Sequence, residues 1–581
     1  MGRILFPVWT AAVSAVAAYA TTSPSNHPDI NSAHENAFAI FNSIHSAMRQ
    51  WGSSVNHNGL SFYLATAPEG SIFYHGGFSP DRPDSFEWLA FEVEHAAQFA
   101  ASWEFTQDPS LQIRSGSTGF NETAWKALLS HRRSHARPAS DATYASPIGD
   151  GSFSQRPMAT VDDDGDDDGD KDPQPSLHPP FDELWRGYFH VYRANRPLNL
   201  LYIDGQAAAK GPLGPQDSQD LILLGHAHPG PGAPTYGEWP RAEGLCDLAG
   251  EWPAPGVGGG ARIDGFIRME CGFEIIYCDF SERGGLDRLS VQSSSFSNET
   301  GLAPYQVAPA FEWMRACAAR FHGLPAGRVD VDWSSMVSAY FYPVNISNPD
   351  PHRRDLPRLA NATLQSRLGV RDRLRDVFAA RGGEEVPRRE VVNWQGVVDS
   401  IVTRFSGRLG YIASSRWSHD GLLLAVGTIL DPYISYTDRS PASEQRAVDR
   451  CARHYLDPSA LRPETWTPED HAIAAAVERV SRDICDSLFV ARRILRASRG
   501  EGVDLDPLVE EAQQTIVELT ERLRWSTWRE CGRCPSPDEI CSIPMFPMGV
   551  SEEDYFHPSC KNISALMQDF SYWQREFHIP G

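Results

Sequence analysis

Three stretches in the first half of the chain carry side chains able to do chemistry. Tyr74-His75-Gly76 closes a β-rich run, Trp88-Leu89-Ala90-Phe91 leads into Glu92-Val93-Glu94-His95, and a later strand-like segment holds Glu270 and Glu274. A histidine can hydrogen-bond a hydroxyl, an aromatic ring can stack on a flat heterocycle, and a preorganised carboxylate can stabilise positive charge as it develops. Spacing alone does not join His75, Trp88 or Phe91, and Glu270 or Glu274 into one site. The plainer alternative is that His75 caps a strand while Trp88, Phe91 and Phe99 fill a core. Glu92 and Glu94 offer a second chemistry, an acid and base for hydrolysis. Alternate acids beside a helix start are also favoured by the helix dipole alone, and spacing in sequence does not fix the separation of about 5–9 Å that such a pair needs.

Other motifs invite chemistry and have plainer readings. His226-Ala227-His228 would place two imidazoles on one side of an extended strand, with His190 or Glu270 as a third metal ligand. The following Pro229-Gly230-Pro231-Gly232 points to a loop instead. Asp164, Asp166, Asp168 and Gly169 open like a calcium loop, yet the twelfth position is Pro175 where a bidentate Glu is needed. Gly256 to Ala261 lacks the preceding strand and following helix of a dinucleotide loop. Cys531-Gly532-Arg533-Cys534 follows a helix, so a structural disulfide knot with Cys541 and Cys560 is expected over a four-Cys zinc site or a redox pair. Arg132-Arg133 reads as a solvated pair or a processing site. No resident metal is expected.

The elements that must position these residues are legible from periodicity. Apolar residues from Ala37 to Trp51 recur at helical spacing. Leu60–Ala65 and Ser71–His75 flank the turn Thr66-Ala67-Pro68-Glu69-Gly70 and read as a hairpin. Trp88–Phe91 is a strand and Glu92–Trp103 a helix. Tyr188–Tyr192, Leu198–Asp204 and Phe273–Phe280 are strands. Past Ala308 the period becomes about 3.6, with Val397–Leu409, Ile473–Leu495 and Leu508–Trp528 as helices. The expected fold class is α+β. An N-terminal mixed α/β domain with antiparallel strands spans 36–300, carrying a disordered acidic insert at 134–180. A mainly helical domain spans 301–528, and a Cys-rich, disulfide-bonded tail spans 529–581.

Composition bounds the partners. The 581 residues include 75 acids and 52 bases, a net charge of −23, and 41% are hydrophobic. Sizeable cores are affordable to such a chain, which excludes global disorder. So acidic a protein disfavours nucleic acid and anionic membrane surfaces, whose binding depends on clustered Lys and Arg. Residues 1–20 read as a signal peptide with Arg3, an apolar run and Ala18-Tyr19-Ala20, and 21–35 as a loose leader. No later apolar run is long enough to span a bilayer, and the polar ending lacks a lipid-anchor signal. Sequons at Asn121, Asn298, Asn345, Asn361 and Asn562 and ten cysteines, enough for five disulfides, agree with a secreted, extracellular glycoprotein.

The order of the N-terminal elements resembles the ADP-ribosyltransferases of the His-Tyr-Glu type. The resemblance rests on the strand ending His75-Gly76, the strand–helix unit Trp88-Leu89-Ala90-Phe91 to Ala100, and the run Arg196-Pro197-Leu198-Asn199-Leu200-Leu201. No tyrosine stands where that family has one, and the likeness covers about residues 58 to 280. It implies NAD as cofactor, with His75 on a ribose hydroxyl, Trp88 or Phe91 against nicotinamide, and Glu270 or Glu274 facing the ribose cation. The whole chain also resembles a family of uncharacterised secreted proteins of filamentous fungi, through Trp88 to Ala96 and the Cys534-Pro535 to Cys541 segment. Three functions stay open: an NAD-using transferase or glycohydrolase, a non-catalytic protein whose helical half binds an extracellular partner, and a secreted hydrolase.

Overall fold

In the computed structural model the described residues are 27–51, 59–105, 183–208, 216–225, 238–252, 262–295, 307–320, 323–324, 327–347, 356–381, 392–438, 440–457, 462–497 and 504–543, with 553–554, 557–562 and 565 near the end. The signal peptide, Arg132-Arg133, the acidic run, Asn121, Asn298, the His226/His228 pair and the Gly256 loop lie outside them.

Nine strands make one sheet: β1 (Ser61–Ala67), β2 (Ile72–Gly77), β3 (Glu87–Ala90), β6 (Tyr188–Ala194), β7 (Leu198–Ile203), β8 (Gly265–Glu270), β9 (Gly272–Tyr277), β10 (Leu286–Ser293) and β11 (Asp330–Ser338). Their order is β10-β6-β2-β3-β9-β8-β7-β1-β11. Every recorded pairing is antiparallel except β7 with β8. The central strands β3 and β9, rich in aromatic and aliphatic residues, are buried along their whole length. Two short strands, β4 (Trp103–Phe105) and β5 (Glu183–Trp185), pair with each other.

The hairpin expected over residues 60–75 does not form. β1 pairs with β7 and β11, β2 with β3 and β6, and four strands lie between β1 and β2 in the sheet. In a flat sheet that distance would be about 24 Å, whereas the short link between Ala67 and Ile72 reaches at most about 18 Å. The sheet is therefore curled, bringing the ends of β1 and β2 together.

Short helices flank the sheet: α1 (Ile30–Glu35), α2 (Ala37–Ser46), α3 (Val93–Phe99), α4 (Gln216–Leu223), α5 (Glu238–Glu251) and α6 (Val307–Ala319). α1 falls in the stretch read as a loose leader, where Asp29 caps it by accepting from the N–H groups of Asn31 and Ser32. α3 ends at Phe99, earlier than expected, and the chain turns into β4. β11 lies past residue 300, so the sheet takes its last strand from the region read as helical.

The second half is helical: α7 (Leu364–Arg381), α8 (Trp394–Ser414), α9 (His419–Leu430), α10 (Ser443–Arg453), α11 (Pro468–Arg496) and α12 (Asp506–Leu523). α11 starts at a capping box in which Thr467 and Asp470 satisfy each other's backbone N–H, with Pro468 in the first turn. Its buried stripe includes Ile473, Val477, Val480, Ile484, Leu488, Ala491 and Leu495, the periodic residues expected. Disulfides join Cys246 to Cys278, Cys451 to Cys485, Cys531 to Cys541 and Cys534 to Cys560. The tail is thus a disulfide knot, its strands β12 (Glu539–Ser542) and β13 (Ser559–Asn562) paired. Four disulfides form where five were expected: Cys271 and Cys317 are buried and joined by none. No helix among the described residues is long and apolar enough to cross a membrane.

Candidate functional site

The sheet register decides which candidate residues meet. Tyr74 pairs with Ala90, Ala90 with Glu274, and Glu274 with Arg268, so these four stand in one row across β2, β3, β9 and β8. Residues in a row share a face and the next residue along points to the other. His75 therefore lies on the face opposite Glu274. It is fully buried, donates from Nδ1 to the Trp88 carbonyl at 2.9 Å, and packs against His190 and Phe280. Burial, with the neighbouring His190, pushes its pKa down to about 3, so it is a neutral imidazole.

The aromatic candidates divide the same way. Phe91 packs edge-on to Phe73, two residues from His75, with the Arg328 guanidinium 5.6 Å from its ring centroid. Trp88 lies on the Glu274 face and packs against Phe86 and against Trp239 of α5. Glu270 is the last residue of β8, paired in register with Gly272 across the turn to β9. The expected set is thus split between two faces, and the structure does not bring His75 and Glu274 together.

What Glu274 does meet is a buried chain of charges. Arg268 contacts Glu274 at 2.8 Å and also binds Glu238 of α5. Glu238 accepts from Arg241 at 3.0 Å and from Gln216 at 3.0 Å, and Arg241 reaches Asp220 of α4 at 2.6 Å. On the other side, His95 Nε2 of α3 stands 3.5 Å from Glu274 Oε2. All these side chains are buried, and such ions persist in an interior only when paired and hydrogen-bonded. The Arg268 pKa is raised further, the carboxylates of Glu238 and Glu274 outweighing the burial that opposes them. Burial, against a hydrogen bond to the Phe273 backbone and helped by the charges of Arg320 and Arg268, pushes His95 down to about 3.

The chain of charges continues to the surface. Arg320, just past α6, places Nη2 2.8 Å from Glu94 Oε2 and 3.5 Å from Glu92 Oε2, and Arg328 Nη1 lies 3.7 Å from Glu92 Oε1. Glu94 and the two arginines are partly exposed; Glu92 is more enclosed, and burial raises its pKa against the pull of both arginines. α3 holds this end in place because Gly76 of β2 lets its backbone approach. A Cβ on Gly76 would sit 2.2 Å from the Ala96 carbonyl oxygen.

Sequence reasoning missed His95, Arg268, Glu238, Arg241, Asp220 and Arg320. One signal was available: Gly265-Phe266-Ile267-Arg268-Met269 sets an arginine inside an apolar strand, a position that demands a buried partner. Glu238 and Arg241, three apart on a helix, look like any solvated pair. Among the described residues no group of three or more His, Cys, Asp or Glu could hold a metal ion; His190 instead packs against His75 and donates to the Ser79 carbonyl.

Comparison with known proteins adds kinship. Residues 29–302 match the family described as YPL277C N-terminal domain. The chain is 27% identical over 591 residues to the uncharacterized protein YOR389W of Saccharomyces cerevisiae, covering 89% of this chain and 83% of that one. It is 33% identical over 256 residues to the uncharacterized protein YPL277C of the same yeast, covering 42% of this chain and 41% of that protein. No solved structure matches. Both relatives are uncharacterised yeast proteins, in keeping with the expected likeness to an uncharacterised family.

Proposed function

We propose that this protein hydrolyses glycosidic bonds, with Glu92 as acid and Glu94 as nucleophile. The observation that carries the proposal is the Arg320 nitrogen that touches both carboxylates. It holds their nearest oxygens within about 6 Å of each other, a cap that admits the spacing of about 5–5.5 Å at which one acid donates a proton and the other attacks the sugar carbon. Their environments also differ in the useful direction. Burial raises the Glu92 carboxyl, which suits a proton donor, while Glu94 is open to water. Glu92 gives its proton to the leaving oxygen as Glu94 bonds to the sugar carbon; water then displaces Glu94 from that carbon, giving a proton back to Glu92. The protein acts outside the cytosol on this reading, supported by the apolar N-terminal run and the disulfides.

An NAD-using transferase built on His75 and Glu274 would need both on one cavity wall, and they occupy opposite faces of the sheet. A binding role has its own support: Tyr411, Leu424 and Tyr436 are exposed large apolar side chains on and beside α8 and α9, surface of the kind that recognises protein partners.

Release of reducing sugar from a panel of polysaccharides and aryl glycosides tests the hydrolase. Glu92→Gln should lower kcat by about 100-fold or more with the fold intact. No turnover by the native protein across the panel, or full activity in both Glu92→Gln and Glu94→Gln, sinks it. Tyr411→Ala that abolishes capture of a cell-surface protein without touching turnover would favour the binding role.

A further inference from the structure

Two sequons meet at one exposed corner of the fold. The chain leaves β11 through Tyr340 and Phe341, both buried, and then alternates. Val344 and Ile346 pack against the core, while Pro343, Asn345 and Ser347 are exposed. This is the period of two expected of an extended segment with one face inward. Ahead of α7 a turn closes where the Ala362 N–H donates to the Leu359 carbonyl at 3.0 Å. Leu359 and Ala362 are buried there, and Asn361 and Thr363 are exposed. Asn345-Ile346-Ser347 and Asn361-Ala362-Thr363 thus present the same pattern, with the middle residue packed inward and the asparagine and hydroxyl residue in solvent.

Hydrogen bonds hold the two together. Ser347 donates to Asn345 Oδ1 from its backbone N–H at 3.1 Å and from its hydroxyl at 2.6 Å. An Asx turn of this kind uses the amide oxygen and not the nitrogen, the atom a sugar would take. Asn361 Nδ2 donates to Ser347 Oγ at 3.3 Å, which joins one sequon to the other. Thr363 Oγ1 accepts the Ser366 N–H at 3.1 Å in the first turn of α7.

We propose that Asn345 and Asn361 each carry an N-linked glycan, side by side at the corner between β11 and α7. The donor is an oligosaccharide on a lipid pyrophosphate. The bond from sugar C1 to the pyrophosphate oxygen breaks, a bond from C1 to the asparagine Nδ2 forms, and that nitrogen gives up one proton. One N–H remains on Asn361, enough to keep its bond to Ser347. The Cys246–Cys278 and Cys451–Cys485 disulfides suit the oxidising compartment in which this donor is supplied. The plainer reading, that both asparagines are only turn formers, predicts no modification. The proposal stands apart from the hydrolase reading, because it involves neither Glu92 nor Glu94 and its test measures no turnover.

The full chain, expressed in a eukaryotic host with its own N-terminal run, is treated with an amidase that removes N-glycans in heavy-oxygen water. Each asparagine that carried sugar becomes a labelled aspartate, read by peptide mass spectrometry. Asn345 and Asn361 should both be labelled. Ser347→Ala should abolish the label at Asn345 alone and Thr363→Ala that at Asn361 alone, each with the gain in gel mobility of one lost glycan. Cell lysate is mapped along with the medium, so that a variant that folds poorly and is retained still reports its modification. Absence of label at Asn345 or at Asn361 in the native chain overturns the proposal, as does a label that survives loss of its own hydroxyl residue.

Discussion

At the scale of single residues, burial sets protonation, and it does so with opposite signs at different places. His75 and His95 are held near pKa 3 from an ordinary 6.5. The unfolded chain therefore takes up protons that the folded chain refuses between those values. Stability should fall as pH drops through that window, by up to about 1.4 kcal/mol per pH unit for each histidine. Asp204, at the end of β7, is pushed up from 3.8 to about 7 by burial, against hydrogen bonds from the Gly205 backbone, Tyr202 and Ser43. Here the folded chain keeps a proton that the unfolded chain releases, so stability is lost as pH rises from 3.8 to about 7. Asp204→Asn should remove that slope, giving a higher urea midpoint than wild type at pH 8 and a converging one near pH 4. Equal midpoints at pH 8 would contradict the assignment. None of this is visible in the sequence, where Asp204 simply closes the strand read over Leu198–Asp204.

At the scale of elements, what was legible followed periodicity and what was hidden followed pairing. The strand runs and the α11 stripe could be read because each is set by its own side chains. The partners of β1 and β2 could not, since Pro68-Glu69-Gly70 turns the chain equally well into a hairpin or onto the far side of a curled sheet. The candidate site shared that fate: Glu274 was named, but its meeting with Arg268 and His95 depends on register across three elements. The docking of α3 on β2 can be tested directly. Gly76→Ala places a methyl against the Ala96 carbonyl, and should cost about 3 kcal/mol or more in denaturant unfolding, since backbone cannot yield as a side chain can. A loss under 1 kcal/mol would mean that α3 is free to shift.

For the molecule as a whole, the sheet reaches past residue 300, where the hydrophobic period changes. β11 supplies the strand beyond β1, and α2 packs on α8 and α11, so the sheet and the helical half share one apolar core. The family match ends at residue 302, before β11 begins. A chain cut there leaves the long β1 edge unpaired, and bare strand edges self-associate. Residues 27–302 expressed alone should aggregate on size-exclusion chromatography, whereas residues 27–581 should not; monodisperse 27–302 would show that the edge is dispensable.

The pairing of β1 with β11 also sets a clock. Ser61 and Ser338, whose hydroxyls meet at 2.9 Å, are 277 residues apart. A ribosome adding about 5–20 residues per second takes on the order of 15–55 s to supply the second after the first. Throughout that interval the edge of β1 that β11 will cover stays open, while its other edge can already meet β7.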